Sequence, residues 1–299
     1  MSEQEKNPKY VPQQTLVGEI ARDPQAADLL FSLFSSAINT MYQDPNLPIP
    51  KEKTLDEIVQ TMPPMSELSH YKTDEELIQA IGSESAEILR SVILNSPIKY
   101  SLLPQELENP EFRRRSTEDG KKCYQFIVIE SPNGKEEEFQ AIKSKVGGSF
   151  FAFHGSVSEC WHKINREELK DLTNTKFMRN GSAYGRGIAL TLKSETAITY
   201  ALERPNKYSN SNLGKSLSIT ALCEVANLPD RNMISVDVDS VVDGNHQTKT
   251  LKVELRNNDW SFMLTLNEAC IIRYLFVNLD ADIDFNVQPL TNLLTLEQA

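Results

Sequence analysis

The sequence predicts an α+β fold, in which a helical amino-terminal domain precedes a domain built on a mostly antiparallel sheet. Helix-type spacing of apolar residues and helix start signals are concentrated in about the first hundred of the 299 residues. From about residue 123, short runs rich in β-branched and aromatic residues follow one another, with turn signals between them. The predicted strands outnumber the predicted helices that could serve as crossovers between parallel strands. We therefore predict an antiparallel sheet and not a doubly wound one.

The longest helical pattern covers residues 24–42, where apolar residues recur largely at steps of three and four. Pro24 lies near its first turn, which is a position that proline favours. The following segment, Asp44–Pro50, contains three prolines, and this spacing forbids a continued helix.

Shorter helical patterns follow, at about 54–61, 73–81 and 84–95. Thr73 and Ser83 each precede acidic residues, and we predict that they cap the amino termini of the second and third of these helices. Residues 1–105 are therefore predicted to form a helical domain. Its expected role is support of the second domain, with gating of a cleft as the alternative.

The second domain is predicted over residues 106–299. Its strands are expected at 124–129, 139–142, 149–153, 188–192, 219–225, 233–238 and 271–277. Turn signals such as Pro132-Asn-Gly134 and Gly147-Gly148 separate these runs. Single helices fit at 158–171 and 194–203.

Two segments of this domain carry the candidate site. Phe151-Ala-Phe-His-Gly-Ser156 ends an apolar run in a histidine and a glycine, and Gly181-Ser-Ala-Tyr-Gly-Arg-Gly-Ile188 leads a loop back into a strand. A ligand carboxamide needs one donor and one acceptor at fixed geometry, and Gly155 leaves its backbone N–H and C=O unobstructed. Gly185 and Gly187 flank Arg186, a pattern expected where a loop re-enters a strand and must pass close to a ligand.

Together the two segments resemble the nicotinamide-pocket signature of the poly(ADP-ribose) polymerase family, in which a His-Gly-Ser/Thr strand end faces a Tyr-Gly-x-Gly-Ile strand entry. The resemblance covers about residues 123–280 and is extended by Trp161, Ile164, Leu222–Val225 and Ile271–Val277. It implies NAD⁺ as co-substrate and a protein acceptor, possibly the chain itself, with release of nicotinamide. The order of a helical front domain followed by Phe-His-Gly-Ser is most similar to the single-span endoplasmic-reticulum mono-ADP-ribosyltransferase branch. That branch has a carboxy-terminal membrane helix, which we do not expect in this sequence.

The resemblance also implies roles for individual residues. His154 would orient the adenine ribose, Gly155 would bind the carboxamide, and Ser156 would bind a ribose hydroxyl. Tyr200 would stack on the nicotinamide ring, a contact worth roughly 1 kcal/mol beyond its buried area. The other residues expected in the NAD⁺ site are Tyr184, Gly187 and Ala189.

The sequence departs from the family pattern at two of its three transferase positions. His154 fills the first, but Ala189 stands where the family has a tyrosine, and this exchange widens the site. The third position falls on Ser261, which offers a ribose hydroxyl a hydrogen bond but no charge. A register slip of two residues would place Asp259 there instead. With His154 and Ser261 as catalytic positions, the implied product is mono- and not poly-ADP-ribose.

These departures leave two hypotheses open. The first is an NAD⁺-dependent protein mono-ADP-ribosyltransferase. The second is a catalytically degenerate module of the same fold that binds NAD⁺ or acts as a scaffold.

Charge and cysteine usage limit the partners and the compartment. Lys and Arg total 31 against 42 for Asp and Glu, a net charge of −11, which predicts no general attraction for nucleic acid. The four cysteines lack the paired spacing of a zinc site, and we expect reduced, buried thiols of a cytoplasmic or nuclear protein. The polar first residues and the absence of an apolar run near 18 residues predict neither a secretory signal nor a membrane span.

Overall fold

The structure, a computed structural model, describes residues 14–108, 122–132, 134–177, 186–228, 234–242, 245–253 and 261–279. The helices before the sheet are α1 (Leu16–Arg22), α2 (Pro24–Ala37), α3 (Leu55–Thr61), α4 (Met65–Leu68), α5 (Asp74–Ile81) and α6 (Ser83–Leu89), and a π-helical turn, Arg90–Leu94, follows α6. We refer to residues 14–95 as the front helices.

Local capping explains most of these helix starts. Thr73 caps α5 as predicted, because its side chain accepts a hydrogen bond from the Glu76 amide. The predicted cap at Ser83 is wrong, because Ser83 is already the first helical residue of α6. Gly82 serves as both the carboxy-terminal cap of α5 and the amino-terminal cap of α6, since it is the single residue between the two helices.

Eleven strands lie in the described residues, and all their pairings are antiparallel. They are β1 (Lys99–Leu102), β2 (Tyr124–Glu130), β3 (Ser149–Ser156), β4 (Ile188–Thr191), β5 (Arg204–Pro205), β6 (Ser216–Leu217), β7 (Ile219–Ala226), β8 (Ile234–Val242), β9 (Asn245–Val253), β10 (Ser261–Leu264) and β11 (Cys270–Val277). Seven form one sheet in the order β1-β2-β11-β7-β3-β4-β10, and β5–β6 and β8–β9 form two-stranded ribbons. The predicted α+β class is confirmed.

In the described part of the chain, three α-helices lie between the strands, α7 (Lys135–Val146), α8 (Ser158–Glu167) and α9 (Ser194–Tyr200), and a 3-10 turn, Asn267–Ala269, separates β10 from β11. The strand predicted at 139–142 is wrong, because these residues belong to α7. Phe139, Ile142 and Val146 recur at steps of three and four, which is the period of a helix. The acidic first turn and the basic last turn of α7 also suit the helix dipole.

Three predicted helices are shorter in the structure, since α2, α8 and α9 end at Ala37, Glu167 and Tyr200. Glu168 has a positive φ of 65° and Asn39 a positive φ of 59°, and such backbone cannot continue a right-handed helix. The prolines at 45–50 therefore lie beyond the point at which α2 has already ended.

The front helices and the sheet share a hydrophobic core. One cluster of buried side chains contains Phe31 and Phe34 of α2 together with Cys223 of β7 and Ile272 of β11. The edge strand β1 pairs with β2, although its residues lie inside the range predicted to be helical. The boundary between residues 105 and 106 stays a prediction.

All four cysteines lie within the described residues and are buried as thiols. The sequence predicts reduced, buried thiols, and burial of this kind is ordinary for cysteine outside disulfides.

Among the helices that the structure describes, none combines the length and the apolar character needed to cross a lipid bilayer.

Candidate active site

A cavity of about 220 Å³ lies where β3, β4 and β10 meet α8 and α9. It is lined by His154, Gly155, Ser156, Gly187, Ala189, Tyr200 and Ser261. The structure thus brings together seven of the eight predicted site residues, which the sequence places in four separate segments. The eighth, Tyr184, lies outside the described residues. We call this cavity the cleft.

The cleft opens because β3 and β4 pair over a short distance. Their register contains one pair, Phe153↔Thr191, whereas β3 pairs with β7 along its whole length. Beyond Phe153 the side chain of His154 bridges the two strands, with its Nδ1 2.9 Å from the carbonyl oxygen of Ala189. The end of β3 therefore presents its side chains and backbone to a space that β4 does not fill.

The imidazole of His154 is held in one orientation. Because a carbonyl oxygen only accepts hydrogen bonds, we assign the ring proton to Nδ1, which donates to Ala189. Burial lowers the pKa of His154 below its ordinary value of 6.5, and the bond to Ala189 opposes this effect only in part. At neutral pH the ring is therefore uncharged, and Nε2 is left as a hydrogen-bond acceptor.

Trp161 of α8 supports this arrangement from behind. Its ring packs edge-on against His154, with the centroids 5.9 Å apart, and its indole N–H donates to the carbonyl of Ser156 at 2.9 Å. Trp161 is fully buried. A single side chain thus fixes both the histidine ring and the strand end, and the sequence had marked Trp161 as part of the resemblance only.

Gly155 is required by packing as well as by any ligand. A Cβ atom at this position would lie 1.8 Å from the carbonyl oxygen of Ala197 in α9, far inside van der Waals contact. Gly187 has a φ of +126°, and a Cβ there would lie 2.6 Å from the carbonyl oxygen of Leu264. Its N–H is shared between Asp171 Oδ1 at 3.1 Å and Thr173 Oγ1 at 3.0 Å, so the backbone amide of Gly187 already has partners.

The two remaining transferase positions carry small neutral side chains. Ala189 is exposed and lines the cleft. Ser261, at the start of β10, also lines the cleft, but it pairs with Thr191, whereas Met263 stands opposite Ala189. The alternative third position, Asp259, lies outside the described residues.

Tyr200 is the last residue of α9 and is 36% exposed. Ala197, one turn earlier, is buried against the end of β3 through its carbonyl contact with Gly155. This contact sets the distance between α9 and the strand end. Tyr200 therefore stands on the rim of the cleft, on a helix that packs directly against the end of β3.

Sequence reasoning missed an aromatic wall formed by Tyr42, Phe177 and Lys163. The Tyr42 and Phe177 rings lie 6.0 Å apart, and the Lys163 amine lies 4.7 Å from the Phe177 ring centroid. All three residues line the cleft. Tyr42 comes from the segment that follows α2, far from His154 in the chain, so no local pattern could have assigned it to the site.

Glu168 is a buried carboxyl group at the margin of the cleft. Burial raises the pKa of Glu168 to about 7, although Lys135 and Arg273 act in the opposite direction. Its Oε2 accepts no hydrogen bond from the residues that the structure describes. Because such a group changes charge near neutral pH, Glu168 makes this part of the molecule sensitive to pH.

Comparison with curated proteins finds related enzymes, while no protein-family model matches the chain. The chain is 29% identical over 259 residues to "Protein mono-ADP-ribosyltransferase PARP8" of Mus musculus, which covers 71% of this chain and 29% of that protein. The human PARP8 protein is 30% identical over 205 residues, or 61% of this chain and 23% of the relative. "Protein mono-ADP-ribosyltransferase PARP16" of Homo sapiens is 25% identical over 274 residues, or 86% and 80%. The chain spans less than a third of the length of the first two relatives.

Proposed function

We propose that this chain, a homologue of mono-ADP-ribosyltransferases of the poly(ADP-ribose) polymerase family, transfers one ADP-ribose from NAD⁺ to a protein side chain. Nicotinamide is the second product. The acceptor is another protein or the chain itself.

One observation carries this proposal. Residues of β3, β4, α9 and β10, which are far apart in the sequence, line a single cleft. The residues present also suit NAD⁺. His154 offers an uncharged acceptor nitrogen to a ribose hydroxyl, and the exposed Ala189 leaves room beside the ring of Tyr200.

The chemistry needs positioning more than a nucleophile of the protein. The bond between the ribose carbon and the nicotinamide nitrogen breaks, and its electron pair leaves with neutral nicotinamide. The acceptor side chain supplies the pair for the new bond and loses its proton to solvent. His154 and Ser156 would hold the riboses, the backbone of Gly155 would bind the carboxamide, and Tyr200 would stack on the departing ring.

Ser261 limits the reaction to one transfer. Chain elongation requires activation of a ribose hydroxyl, for which a carboxylate at the position of Ser261 would serve. Ser261 can donate or accept a hydrogen bond but cannot take up that proton as a base. Mono-ADP-ribosylation is therefore the expected reaction.

A second candidate function is a module that binds NAD⁺ without turning it over. The small neutral side chains at Ala189 and Ser261 favour it, because neither stabilises positive charge as the glycosidic bond breaks. His154, Gly155 and Tyr200 would serve this module equally well.

One experiment separates the two candidates: incubation of the purified chain with isotopically labelled NAD⁺, followed by mass spectrometry of the protein. For the enzyme we expect single ADP-ribose additions that disappear in His154→Ala and persist in the control His70→Ala, which changes an exposed histidine of the front helices. Stabilisation by NAD⁺ without label would support the module. A ladder of long polymer on a gel would contradict the role given to Ser261.

A further inference from the structure

The loop between α9 and β7 is bonded to the front helices along much of its length. The Lys207 amine donates to the carbonyl of Ile38 at 3.0 Å, and the side-chain amide of Asn210 donates to the carbonyl of Met62 at 2.9 Å. Tyr208 is buried with its ring edge-on to Phe31, the centroids 4.9 Å apart. We call residues 204–214 the clamp loop.

A carboxylate of α2, Asp28, is the central acceptor of this contact. Its oxygens accept hydrogen bonds from the Ser211 hydroxyl at 2.6 Å, the Asn212 backbone N–H at 2.7 Å and the Ser32 hydroxyl at 3.0 Å. Asp28 is 0% exposed, and no salt bridge joins it to a cation in the described part of the chain. Burial raises the pKa of Asp28, and these three hydrogen bonds only partly oppose the effect.

A buried carboxylate without a cation is costly, so its three partners must be well placed for it to be tolerated. Two of those partners, Ser211 and the backbone of Asn212, belong to the clamp loop. The Ser211 hydroxyl also accepts from the Leu213 amide at 3.1 Å, which extends the network along the loop. The conformation of the clamp loop therefore depends on Asp28.

The clamp loop is in turn tied to the end of α9. It begins four residues after Tyr200, and its first two residues, which form β5, pair with β6 just beyond its last residue, as Arg204↔Leu217 and Pro205↔Ser216. The segment after the ribbon closes back on the helix, because the Ser218 hydroxyl donates to the carbonyl of Ala201 at 2.7 Å. A shift of the loop would thus be passed to the last turn of α9.

We propose that Asp28 is a positioning residue for the cleft: it fixes the clamp loop on the front helices and, through the loop, holds α9 so that Tyr200 faces the bound ligand. The assignment of Tyr200 to ligand binding rests on the function proposed above. Support by the front helices then has a specific mechanism, which is a polar bond network that reaches the cleft from outside.

The first test needs no ligand. Hydrogen exchange of the purified chain is compared with that of two variants, Asp28→Asn and Ser211→Ala. Ser211→Ala removes one hydrogen bond to Asp28 but keeps the carboxylate, so it still tests the proposal if Asp28→Asn does not fold. We expect exchange about tenfold faster in residues 204–214 and in residues 197–201, which comprise the last turn of α9 and its carboxy-terminal cap. The matched control is Glu84→Gln, since Glu84 also accepts three hydrogen bonds, but from the amides of residues 51–53 and not from the clamp loop. Unchanged exchange in 197–201 would overturn the proposal.

The second test measures steady-state transfer with NAD⁺. We expect Asp28→Asn to raise KM about tenfold and to change kcat by less than about threefold. The reason is that a displaced Tyr200 ring would weaken NAD⁺ binding more than it would slow the transfer step. In a Tyr200→Ala background the same substitution should add little to KM, since its effect acts through that ring. Full additivity would show that Asp28 acts only on stability. If the parent chain neither binds NAD⁺ nor transfers ADP-ribose, the proposed function fails. The hydrogen-exchange experiment then decides by itself whether Asp28 positions α9 through the clamp loop.

Discussion

The two sides of the cleft differ in what they offer a ligand. On the β3 side, His154 has an oriented ring and Gly155 is packed against α9 with no room for a further atom. On the side formed by β4 and β10, Ala189 and Ser261 present small neutral side chains. The part of the cleft that would hold NAD⁺ is thus packed tightly, whereas the part that would promote transfer is open and carries no charge at these two positions. Binding and turnover can therefore be tested separately.

The largest expected effect breaks the β3 side. Gly155→Ala places a Cβ atom on the carbonyl oxygen of Ala197, and because both atoms belong to packed backbone, we expect a loss of about 3 kcal/mol or more in the free energy of unfolding. Urea denaturation measures it, with Ser156→Ala as the neighbouring control. A Gly155→Ala variant as stable as the parent would mean that α9 does not pack on β3 in this way.

Ligand binding tests whether the β3 side works as a site. NAD⁺ at a hundredfold excess over its dissociation constant should add about 2.7 kcal/mol to the free energy of unfolding, because it binds only the folded chain. The measurement is the melting temperature with and without NAD⁺, and we expect His154→Ala to reduce the shift. No shift of the parent at millimolar NAD⁺ would contradict the binding claim.

Glu168 sharpens the comparison, because it is an acid at the cleft margin outside both strand ends. Its folded pKa of about 7 lies above the ordinary 4.5, so the folded state favours the protonated form. The stability it contributes is complete below about pH 4.5 and is lost as pH rises through about 7, a change on the order of 3 kcal/mol.

Glu168→Gln should therefore flatten the pH dependence of unfolding between pH 4.5 and 7. Denaturation at a series of pH values measures this, and Glu138→Gln on the exposed face of α7 is the control that should keep the parent profile. Equal profiles for Glu168→Gln and the parent would show that the Glu168 carboxyl group titrates normally.

The smallest expected effect rebuilds the β4 side. Ala189→Tyr restores a second ring beside the nicotinamide position, and an aromatic contact of roughly 0.5 to 1.5 kcal/mol should improve the affinity for nicotinamide analogues by a few-fold up to about tenfold. Because Ala189 is exposed, the variant should fold as well as the parent. Calorimetric titration gives the affinity. An unchanged dissociation constant would place the ring outside the ligand's reach.

Local sequence signals predicted much of this fold and most of the candidate site. The caps at Thr73 and the strand runs that became β2, β3 and β7 follow from patterns of about ten residues or fewer. The same signals failed at residues 139–142, where a short apolar run fits the strand period as well as the helix period. These residues belong to α7, whose acidic first turn and basic last turn favour a helix. Strand β1 was missed because four residues carry too little pattern to stand out.

By itself, the sequence determined the α+β class, the His154-Gly155-Ser156 strand end and the neutral residues at Ala189 and Ser261, because residue identity and short-range periodicity decide these features. The tertiary structure alone decided that Tyr42 reaches the cleft, that Gly155 must accommodate the Ala197 carbonyl, and that Asp28 is buried under the clamp loop. The physical reason is the range of the forces involved. Caps and helix periods act between neighbours in the chain, whereas close packing and the satisfaction of buried polar groups act between segments that only the complete fold brings into contact.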